Sequence, residues 1–262
     1  MTLADSHRTT VVEVENLTAA YGDNVILEGV SFRIHEGERF IILGGSGCGK
    51  STLLKYLIGL LPIEKGRITL LGNNLGDDNR NRQEMLKQIG VLFQNGALLG
   101  SMTLEENIAL PMTLHTDLPE SYISNLVKLK LAMVNLSGYE NYLPSELSGG
   151  MVKRAALARA MALNPRILFF DEPSAGLDPV TSAELDELII HLNSTTGTTM
   201  VIVTHELESI FNIGERVIML DRERKGIIAT GTPLELRDKS RIPYVRQFFN
   251  RKSSQPVRTP SR

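Results

Sequence analysis

Residues Gly44 to Ser51 read G-G-S-G-C-G-K-S, and they directly follow the apolar run Phe40-Ile41-Ile42-Leu43. This order predicts a buried strand, a glycine-rich turn and a helix that begins near Lys50, which is the pattern of a phosphate-binding loop. Glycine permits backbone conformations that a side chain disfavours, so successive N–H groups converge on one anion. The positive end of the helix dipole faces the same point. The loop therefore predicts that the chain binds a nucleoside triphosphate.

Two side chains of the loop have specific expected roles. Lys50 is placed to reach the β- and γ-phosphates, and the Ser51 hydroxyl is placed to ligate Mg²⁺. The predicted nucleotide contacts of this segment are Gly44, Gly45, Ser46, Gly47, Cys48, Gly49, Lys50, Ser51 and Thr52. A glycine turn that merely joins a strand to a helix is the alternative, and the adjacent Lys-Ser-Thr argues against it.

A second apolar run, Ile167-Leu168-Phe169-Phe170, ends in the acidic pair Asp171-Glu172. In a doubly wound parallel sheet such a strand is buried, and its carboxyl end lies near the phosphate loop. Asp171 is then expected to hold the Mg²⁺ shell, usually through water, and Glu172 to act as the general base on water. A strand that simply ends in a solvated acidic pair is the alternative, which the upstream phosphate loop disfavours.

The stretch Leu147-Ser148-Gly149-Gly150-Met151 precedes a segment rich in strong helix formers. Unpaired N–H groups at such a helix start offer a second anion site, although Ser148 could also serve only as an N-cap. Together with the phosphate loop and the acidic pair, this order resembles the ATP-binding cassette family, whose signature is Leu-Ser-Gly-Gly-Gln. The resemblance covers nearly the whole chain up to about residue 240. It implies an α/β fold: a P-loop NTPase core of the RecA type, an N-terminal antiparallel β layer and an inserted helical subdomain.

The resemblance assigns roles to further residues of this sequence. Tyr21 matches the aromatic residue that stacks on adenine, with an exposed turn tyrosine as the alternative. Gln94 matches the glutamine that touches Mg²⁺ and relays the nucleotide state to a membrane partner. Asp178 lies in the loop Ser174–Asp178 that crosses the dimer interface. His205 matches the switch histidine that contacts the γ-phosphate, although a lone histidine is more often structural.

The sequence departs from the family at the fifth signature position, where Met151 replaces the usual glutamine. Ser148, Gly149 and Gly150 are intact, so contact with the nucleotide of a second protomer is expected to survive. An inactive site is the alternative. Because Lys50 and the other expected catalytic residues are present, the sequence predicts an active ATPase.

Composition adds limits to this interpretation. The chain has 262 residues, is 42% hydrophobic and carries a formal net charge of −2, so its overall charge suggests no particular partner. No apolar run reaches the roughly 18 residues of a membrane span, and no signal peptide opens the sequence. Cys48 is the single cysteine, which excludes an intrachain disulfide and fits a reducing cytoplasm. Its position beside phosphate-facing donors predicts a reactive thiolate.

The predicted organisation is a nucleotide-binding domain over residues 1–240 and a basic C-terminal tail over residues 241–262. Alternation of apolar and polar residues from Val11 to Ile34 predicts the antiparallel layer. Helical patterns at Leu104–Leu110 and Glu120–Val134, with the helix after Ser148, predict the helical subdomain at about residues 95–160. Thr232 and Pro233 predict the cap and first turn of a late short helix.

The end of the chain is basic, with eight Lys or Arg residues against one acid, Asp238, after residue 236. The last ten residues are expected to be disordered. The segment Tyr244–Phe249 is apolar enough to dock, and we expect it to pack on the second protomer of a dimer rather than on its own core. A membrane-surface role is the competitor. Nucleic acid would bind such a tail only nonspecifically, so no specific nucleic acid is expected.

The segments Phe93–Leu99, Pro144–Met151 and Val245–Phe248 are similar to the ATPase subunits of bacterial phospholipid transporters, the Mla and Mce-associated systems. Methionine at the fifth signature position also occurs there. The similarity implies a homodimeric, ATP- and Mg²⁺-dependent motor on the cytoplasmic face of the bacterial inner membrane. Its partners would be an integral-membrane permease and an Mce-type lipid-binding protein. The alternatives are a small polar solute importer and a soluble ATPase without a transport role.

Overall fold

A computed structural model describes residues 8–76 and 80–250 of the chain, and the strands of these residues form two sheets. The strands are β1 (Thr10–Tyr21), β2 (Asn24–His35), β3 (Arg39–Gly44), β4 (Lys65–Leu70), β5 (Asn73–Asn74), β6 (Ile89–Leu92), β7 (Ile167–Asp171), β8 (Thr199–Val203), β9 (Arg216–Asp221) and β10 (Gly226–Gly231). The helices are α1 (Lys50–Leu57), α2 (Arg80–Leu86), α3 (Leu104–His115), α4 (Glu120–Met133), α5 (Gly149–Ala160), α6 (Pro179–Thr196), α7 (Leu207–Ile213), α8 (Pro233–Lys239) and α9 (Pro243–Phe249).

The first sheet is the predicted antiparallel layer, with the strand order β2-β1-β4-β5. Its strands β1 and β2 pair from Thr10 opposite His35 to Tyr21 opposite Asn24. Their alternating apolar side chains, such as Val12, Val14 and Ile34, are buried against the second sheet and α1. The alternation read from the sequence is therefore the alternation of a sheet with one buried face.

The second sheet has the order β10-β9-β3-β8-β7-β6 and is parallel except for β10. Its strands are nearly continuous apolar runs because helices and the first sheet cover both faces. On one face of β3, Ile41 and Leu43 belong to the apolar cluster that includes the helical subdomain. On the other face, Phe40 and Ile42 belong to the cluster that includes the first sheet. The carboxyl ends of β3, β7 and β8 meet at one edge, which is where open parallel sheets bind ligands. The predicted α/β class with a P-loop NTPase core is confirmed.

Helices α3, α4 and α5 pack together where helical patterns predominate in the sequence. Helix α3 ends at His115 and not at Leu110, so the expected end before Pro111 is wrong. A capping box at Thr103 and Glu106 fixes the start of α3, and its buried face continues to Met112. Burial of this face outweighs the local cost of the proline.

The C-terminal helices follow local sequence signals. Thr232 accepts a hydrogen bond from the Glu235 N–H at 3.2 Å, and Pro233 occupies the first turn of α8, as predicted. Helix α9 then returns to the core, since Val245 and Phe249 are fully or almost fully buried. No helix within residues 8–76 and 80–250 is both long and apolar enough to cross a membrane.

The expectation that Tyr244–Phe249 packs on a second protomer is wrong for the buried face of α9. The Phe249 ring meets Phe211 of α7 edge-on at 5.9 Å between centroids, and Val245 joins the same apolar cluster. Val245 and Phe249, which are one helical turn apart on α9, are thus buried within the chain and do not anchor a partner. Residues 251–262 of the predicted tail, including the last ten residues for which disorder is expected, lie outside the described residues.

A buried carboxyl group lies between α6 and α7. Asp186 of α6 is 3% exposed, and Asn212 of α7 donates to its Oδ2 at 3.4 Å. Burial, helped by the charge of Glu206, raises the pKa of Asp186 to about 6, although hydrogen bonds from Ser209 and Asn212 oppose the shift. Because the folded chain holds this proton more tightly than the unfolded chain, the stabilising contribution is complete below about pH 4. It is lost as the pH rises towards about 6.

We expect Asp186→Asn to remove this pH dependence. Between about pH 4 and pH 7 the free energy of unfolding of the variant should gain about 3 kcal/mol relative to the parent, since 2 pKa units correspond to roughly that amount. Urea unfolding at a series of pH values measures the difference. Asp117→Asn, which changes an exposed carboxyl group, is the control. Parallel pH curves for Asp186→Asn and the parent would contradict the prediction.

Candidate nucleotide-binding site

The predicted phosphate loop joins β3 to α1 at the carboxyl edge of the parallel sheet. Gly49 caps α1 with φ of +104°, and a Cβ at this position would approach Ile26 Cγ2 to 2.9 Å. A side chain is therefore excluded both by the backbone angle and by the packing of β2. The Lys50 ammonium group donates to the carbonyl oxygens of Gly44 at 2.9 Å and Gly45 at 3.3 Å. The loop is thus folded around this positive charge.

The remaining loop residues differ in exposure. Ser46 and Gly47 are exposed at the turn, while Thr52 is half-buried on the first turn of α1. The Tyr244 hydroxyl of α9 lies 3.1 Å from the position that a Cβ of Gly45 would occupy. The loop therefore approaches α9 at Gly45, through a tyrosine that is itself 42% exposed.

Cys48 does not have the environment predicted for a reactive thiolate. Its side chain is 2% exposed and belongs to the apolar cluster beneath the loop. Burial raises the pKa of the Cys48 thiol, and this effect outweighs the opposing charge of Lys50. The sequence showed the composition of the loop but not that Sγ points inward. The prediction of reactivity is therefore wrong.

We expect the Cys48 thiol of the folded chain to react slowly with maleimide. A buried thiol with a raised pKa has little thiolate, and the thiolate is the nucleophile. Mass spectrometry of labelling in buffer and in denaturant measures the contrast, and labelling should be much faster in denaturant because unfolding exposes the thiol and removes the burial that raises its pKa. Cys48→Ala supplies the unlabelled baseline. Fast labelling that Mg-ATP suppresses would show instead that Sγ faces the phosphate side.

The acidic pair lies across the sheet edge from the loop. Asp171 ends β7, which is separated from β3 by β8, and its Oδ1 lies 3.5 Å from the Ser51 hydroxyl. Burial and the neighbouring charge of Glu172 raise the pKa of Asp171, while the Ser51 hydrogen bond and the lysines of α1 lower it. Within the described ranges, no three His, Cys, Asp or Glu side chains form a metal-binding group. One hydroxyl and one carboxylate fit Mg²⁺, which commonly completes its shell with water and substrate phosphates.

Glu172 and His205 form a close pair. Both carboxylate oxygens of Glu172 lie 2.9 Å from His205 Nδ1, with the glutamate side chain 12% and the histidine side chain 61% exposed. The Glu172 backbone has φ of +48°, and its N–H donates to the Val203 carbonyl at 2.8 Å. The ends of β7 and β8 therefore fix the two side chains opposite each other.

Sequence reasoning missed Lys153 of α5. Its ammonium group donates to the Gln94 carbonyl at 2.5 Å and the Glu172 carbonyl at 3.5 Å. Burial lowers the pKa of Lys153, while the charges of Glu206, Asp171 and Glu172 oppose this shift. One signal could have revealed it, a lysine one turn inside a helix that is otherwise rich in alanine.

Other predicted residues lie around this cluster. Gln94 follows β6 with its side chain exposed, and its backbone is tied to Lys153. Tyr21 is 46% exposed at the end of β1, in the hairpin whose second strand packs on Gly49. Both side chains are open to solvent at the rim of the loop region.

The predicted signature segment lies apart from the phosphate loop. Ser148 caps α5 by accepting from the Met151 N–H at 3.3 Å, and a Cβ on Gly150 would come within 2.5 Å of Thr181. Gly149 similarly faces Leu177, so this turn packs on the start of α6, where Asp178 is the cap. The hydrogen bond from Thr181 lowers the pKa of Asp178. Among the described residues, no hydrogen bond links Ser148–Gly150 to the phosphate loop.

Comparisons with known proteins agree with this geometry. A family model described as ABC transporter matches residues 27–175. The chain is 39% identical over 249 residues to the "Intermembrane phospholipid transport system ATP-binding protein MlaF" of Haemophilus influenzae, covering 95% of this chain and 93% of that protein. It is 43% identical over 247 residues to the "Probable ribonucleotide transport ATP-binding protein mkl" of Mycobacterium tuberculosis, covering 94% and 68%.

Solved structures give the same result. The fold matches cbiO1 of Clostridium perfringens, part of the ABC transporter complex cbiONQ, with a TM-score of 0.80 and 28% identity over 88% of this chain and 92% of that one. It also matches the dimeric, post-hydrolysis ATP-binding cassette MJ0796 bound to ADP and Pi, with a TM-score of 0.74 and 30% identity over 84% and 98%. The chain therefore belongs to the ABC transporter family, as an ATP-binding and ATP-hydrolysing cassette.

Proposed function

We propose that this chain is the ATP-hydrolysing motor subunit of a bacterial transporter that moves phospholipid between membranes. The observation that carries the substrate class is the similarity to the MlaF proteins, which extends over more than nine-tenths of both chains. The observation that carries the chemistry is the meeting of the phosphate loop, Asp171 and the Glu172–His205 pair at one sheet edge.

The loop residues are the proposed binding groups for the triphosphate. Backbone N–H groups from Gly44 to Thr52 hold the phosphates, and Lys50 exchanges its loop carbonyls for phosphate oxygens. Ser51, Asp171 and Gln94 are the proposed Mg²⁺ ligands, directly or through water. Bound Mg²⁺ would supply neutralisation of the phosphate charge.

Glu172 is the proposed general base. Its carboxylate accepts a proton from the water that attacks the γ-phosphorus, and cleavage of the bond to the bridging oxygen leaves ADP and phosphate. His205 lies against both oxygens of Glu172, so it is placed to orient that carboxylate and to contact the γ-phosphate. In this scheme Glu172 and His205 are the catalytic residues.

We propose a homodimer, because the expected nucleotide contacts fall into two groups of residues and neither group alone surrounds the phosphates. Ser148 and Asp178 cap the first turns of α5 and α6, and among the described residues neither they nor Gly149 and Gly150 are hydrogen-bonded to the chain's own phosphate loop. In a head-to-tail pair they would close over the nucleotide of the partner subunit, and Tyr21 would stack on the adenine ring. ATP then holds the dimer together, and hydrolysis releases it.

The proposed membrane partner is an integral-membrane permease. A groove of about 700 Å³ lies between β6 and the helices α3 and α5, lined by residues that include Val91, Pro111, His115 and Arg159. Val91 of this lining is three residues before Gln94 in the chain, so an inserted permease helix could respond to the nucleotide state. We also propose an Mce-type lipid-binding protein as a partner and a peripheral position on the cytoplasmic face of the inner membrane.

The division of the chain into a nucleotide-binding domain over residues 1–240 and a basic tail over residues 241–262 stays a prediction.

A second candidate substrate class is the ribonucleotide, because the mkl relatives carry that description at 43% identity. This chain covers only 68% of their length, against 93% for the Haemophilus MlaF, so we favour phospholipid. The same ATPase could drive a phospholipid permease or a ribonucleotide permease, since the proposed ATP site binds the nucleotide and not the transported molecule.

Affinity purification of the full chain from its native membranes tests the assignment. We expect a permease and an Mce-type protein among the co-purifying chains, and ATP-dependent movement of a fluorescent phospholipid when the complex is reconstituted between vesicles. The Glu172→Gln complex is the control for transport without hydrolysis. Co-purification of a solute receptor, with transport of labelled ribonucleotide and not lipid, would replace phospholipid as the substrate.

A further inference from the structure

Lys153 lies at the meeting point of three functional segments. It comes from α5, the helix that Ser148 caps, and the residue is only 6% exposed. Its ammonium group contacts the carbonyl oxygen of Gln94 on one side and that of Glu172 on the other. One side chain therefore connects the helix of the signature segment to two loops at the sheet edge.

The charge around Lys153 supports the same interpretation. Asp171, Glu172 and Glu206 are the acids whose charges act on it. A buried cation needs such compensation, because removing a charge from water is costly. Lys130 of α4 is also buried, but it donates to the Asn164 side chain at 2.6 Å, and burial alone lowers its pKa. Lys153 is thus distinguished from an ordinary buried lysine by its position among the site carboxylates.

We propose that Lys153 is a positioning residue that holds the backbone at Gln94 and Glu172 in the arrangement required for hydrolysis. The inference rests on the proposed role of Glu172 as the base. Glu172 has a left-handed backbone conformation, which is unfavourable for a non-glycine residue and needs support from its surroundings. The hydrogen bond to its carbonyl, with the bond from its N–H to Val203, supplies that support.

The same contacts give α5 a mechanical connection to the base. A movement of α5 that follows contact of Ser148 with a partner's nucleotide would displace Lys153, and with it the carbonyls of Gln94 and Glu172. The phosphate loop has no such contact with Lys153. Loss of Lys153 should therefore impair the chemical step and leave ATP binding to the isolated chain intact.

A series of substitutions separates the contributions of charge and hydrogen bonding. Lys153→Met removes both, Lys153→Gln keeps a donor without charge, and Lys153→Arg keeps both. For Lys153→Met we expect kcat for ATP hydrolysis to fall about 10- to 100-fold, since small misplacements of catalytic groups cost about that much. The KM for ATP and the Kd of a fluorescent ATP analogue should change less than about threefold, because the phosphate loop is untouched. Lys153→Arg should restore most of kcat, and Lys153→Gln should be intermediate.

Lys130→Met is the matched control, because it removes a buried lysine of the same subdomain from a place outside the site. It should lower the melting temperature with kcat of the folded fraction unchanged. Glu172→Gln, measured in parallel, separates the two proposals: if it abolishes hydrolysis while folded Lys153→Met keeps the parental kcat, only the Lys153 inference fails. Equal losses in Lys153→Met and Lys153→Arg would also overturn it. Parental activity of Glu172→Gln would instead remove the proposed base.

Discussion

Replacing Glu172 with glutamine is expected to lower the rate of ATP hydrolysis by about 10²- to 10⁴-fold, the contribution that a general base usually makes. The amide has nearly the same shape as the carboxylate, but it cannot accept a proton from water. Because Lys50 and the loop backbone are untouched, ATP binding should persist. In the proposed dimer, ATP that is bound and not hydrolysed would keep the two protomers together.

Phosphate release and size-exclusion chromatography with Mg-ATP measure the two effects. The parent should elute mainly as a monomer after turnover, and Glu172→Gln should accumulate as an ATP-bound dimer. Glu187→Gln, which changes an exposed glutamate of α6, is the control and should behave as the parent. Hydrolysis at near the parental rate in Glu172→Gln would show that another group takes the proton.

The second large effect is expected for Lys50→Ala at the step of nucleotide binding. The variant removes the side-chain cation around which the loop folds, through the carbonyls of Gly44 and Gly45. A charge-assisted contact of this type contributes about 1.5–3 kcal/mol, which corresponds to roughly a 10- to 150-fold weaker Kd. Hydrolysis should fall at least as far.

Titration with a fluorescent ATP analogue, in the presence and absence of Mg²⁺, measures the loss. Lys65→Ala removes an exposed lysine of β4 and should leave Kd unchanged. A melting temperature close to that of the parent would show that Lys50→Ala is folded. Unchanged ATP affinity in a folded Lys50→Ala chain would exclude the loop as the phosphate site.

Local patterns predicted most of the fold and the members of the candidate site. The order of strand, glycine turn and Lys-Ser places the loop, and the apolar run before Asp171 places the acidic pair. Parallel strands end at a common edge, so it follows that Ser51 and Asp171 lie near each other. The functional roles of these residues stay predictions, although their positions are now defined.

The features that sequence reasoning got wrong depend on contacts between distant segments. Pro111 is a strong local stop signal, yet the buried face of α3 carries the helix past it. The inward direction of Cys48 and the packing of Phe249 on Phe211 of α7 are likewise set by tertiary contacts. Lys153 was missed because its partners are carbonyl groups, which no residue pattern displays.

 The strand order also has a consequence for biosynthesis. The two neighbours of β3 are β8 and β9, so Phe40 pairs with Val201 and Arg216, more than 150 residues later in the chain. At about 5–20 residues per second, translation reaches β8 and β9 roughly ten to forty seconds after it has completed β3, the strand that precedes the phosphate loop. Until then its apolar run is exposed to other nascent chains and to chaperones, and long-range pairing of this kind makes folding slow. The nucleotide pocket therefore forms only after β8 and β9 have been synthesised, long after its own loop.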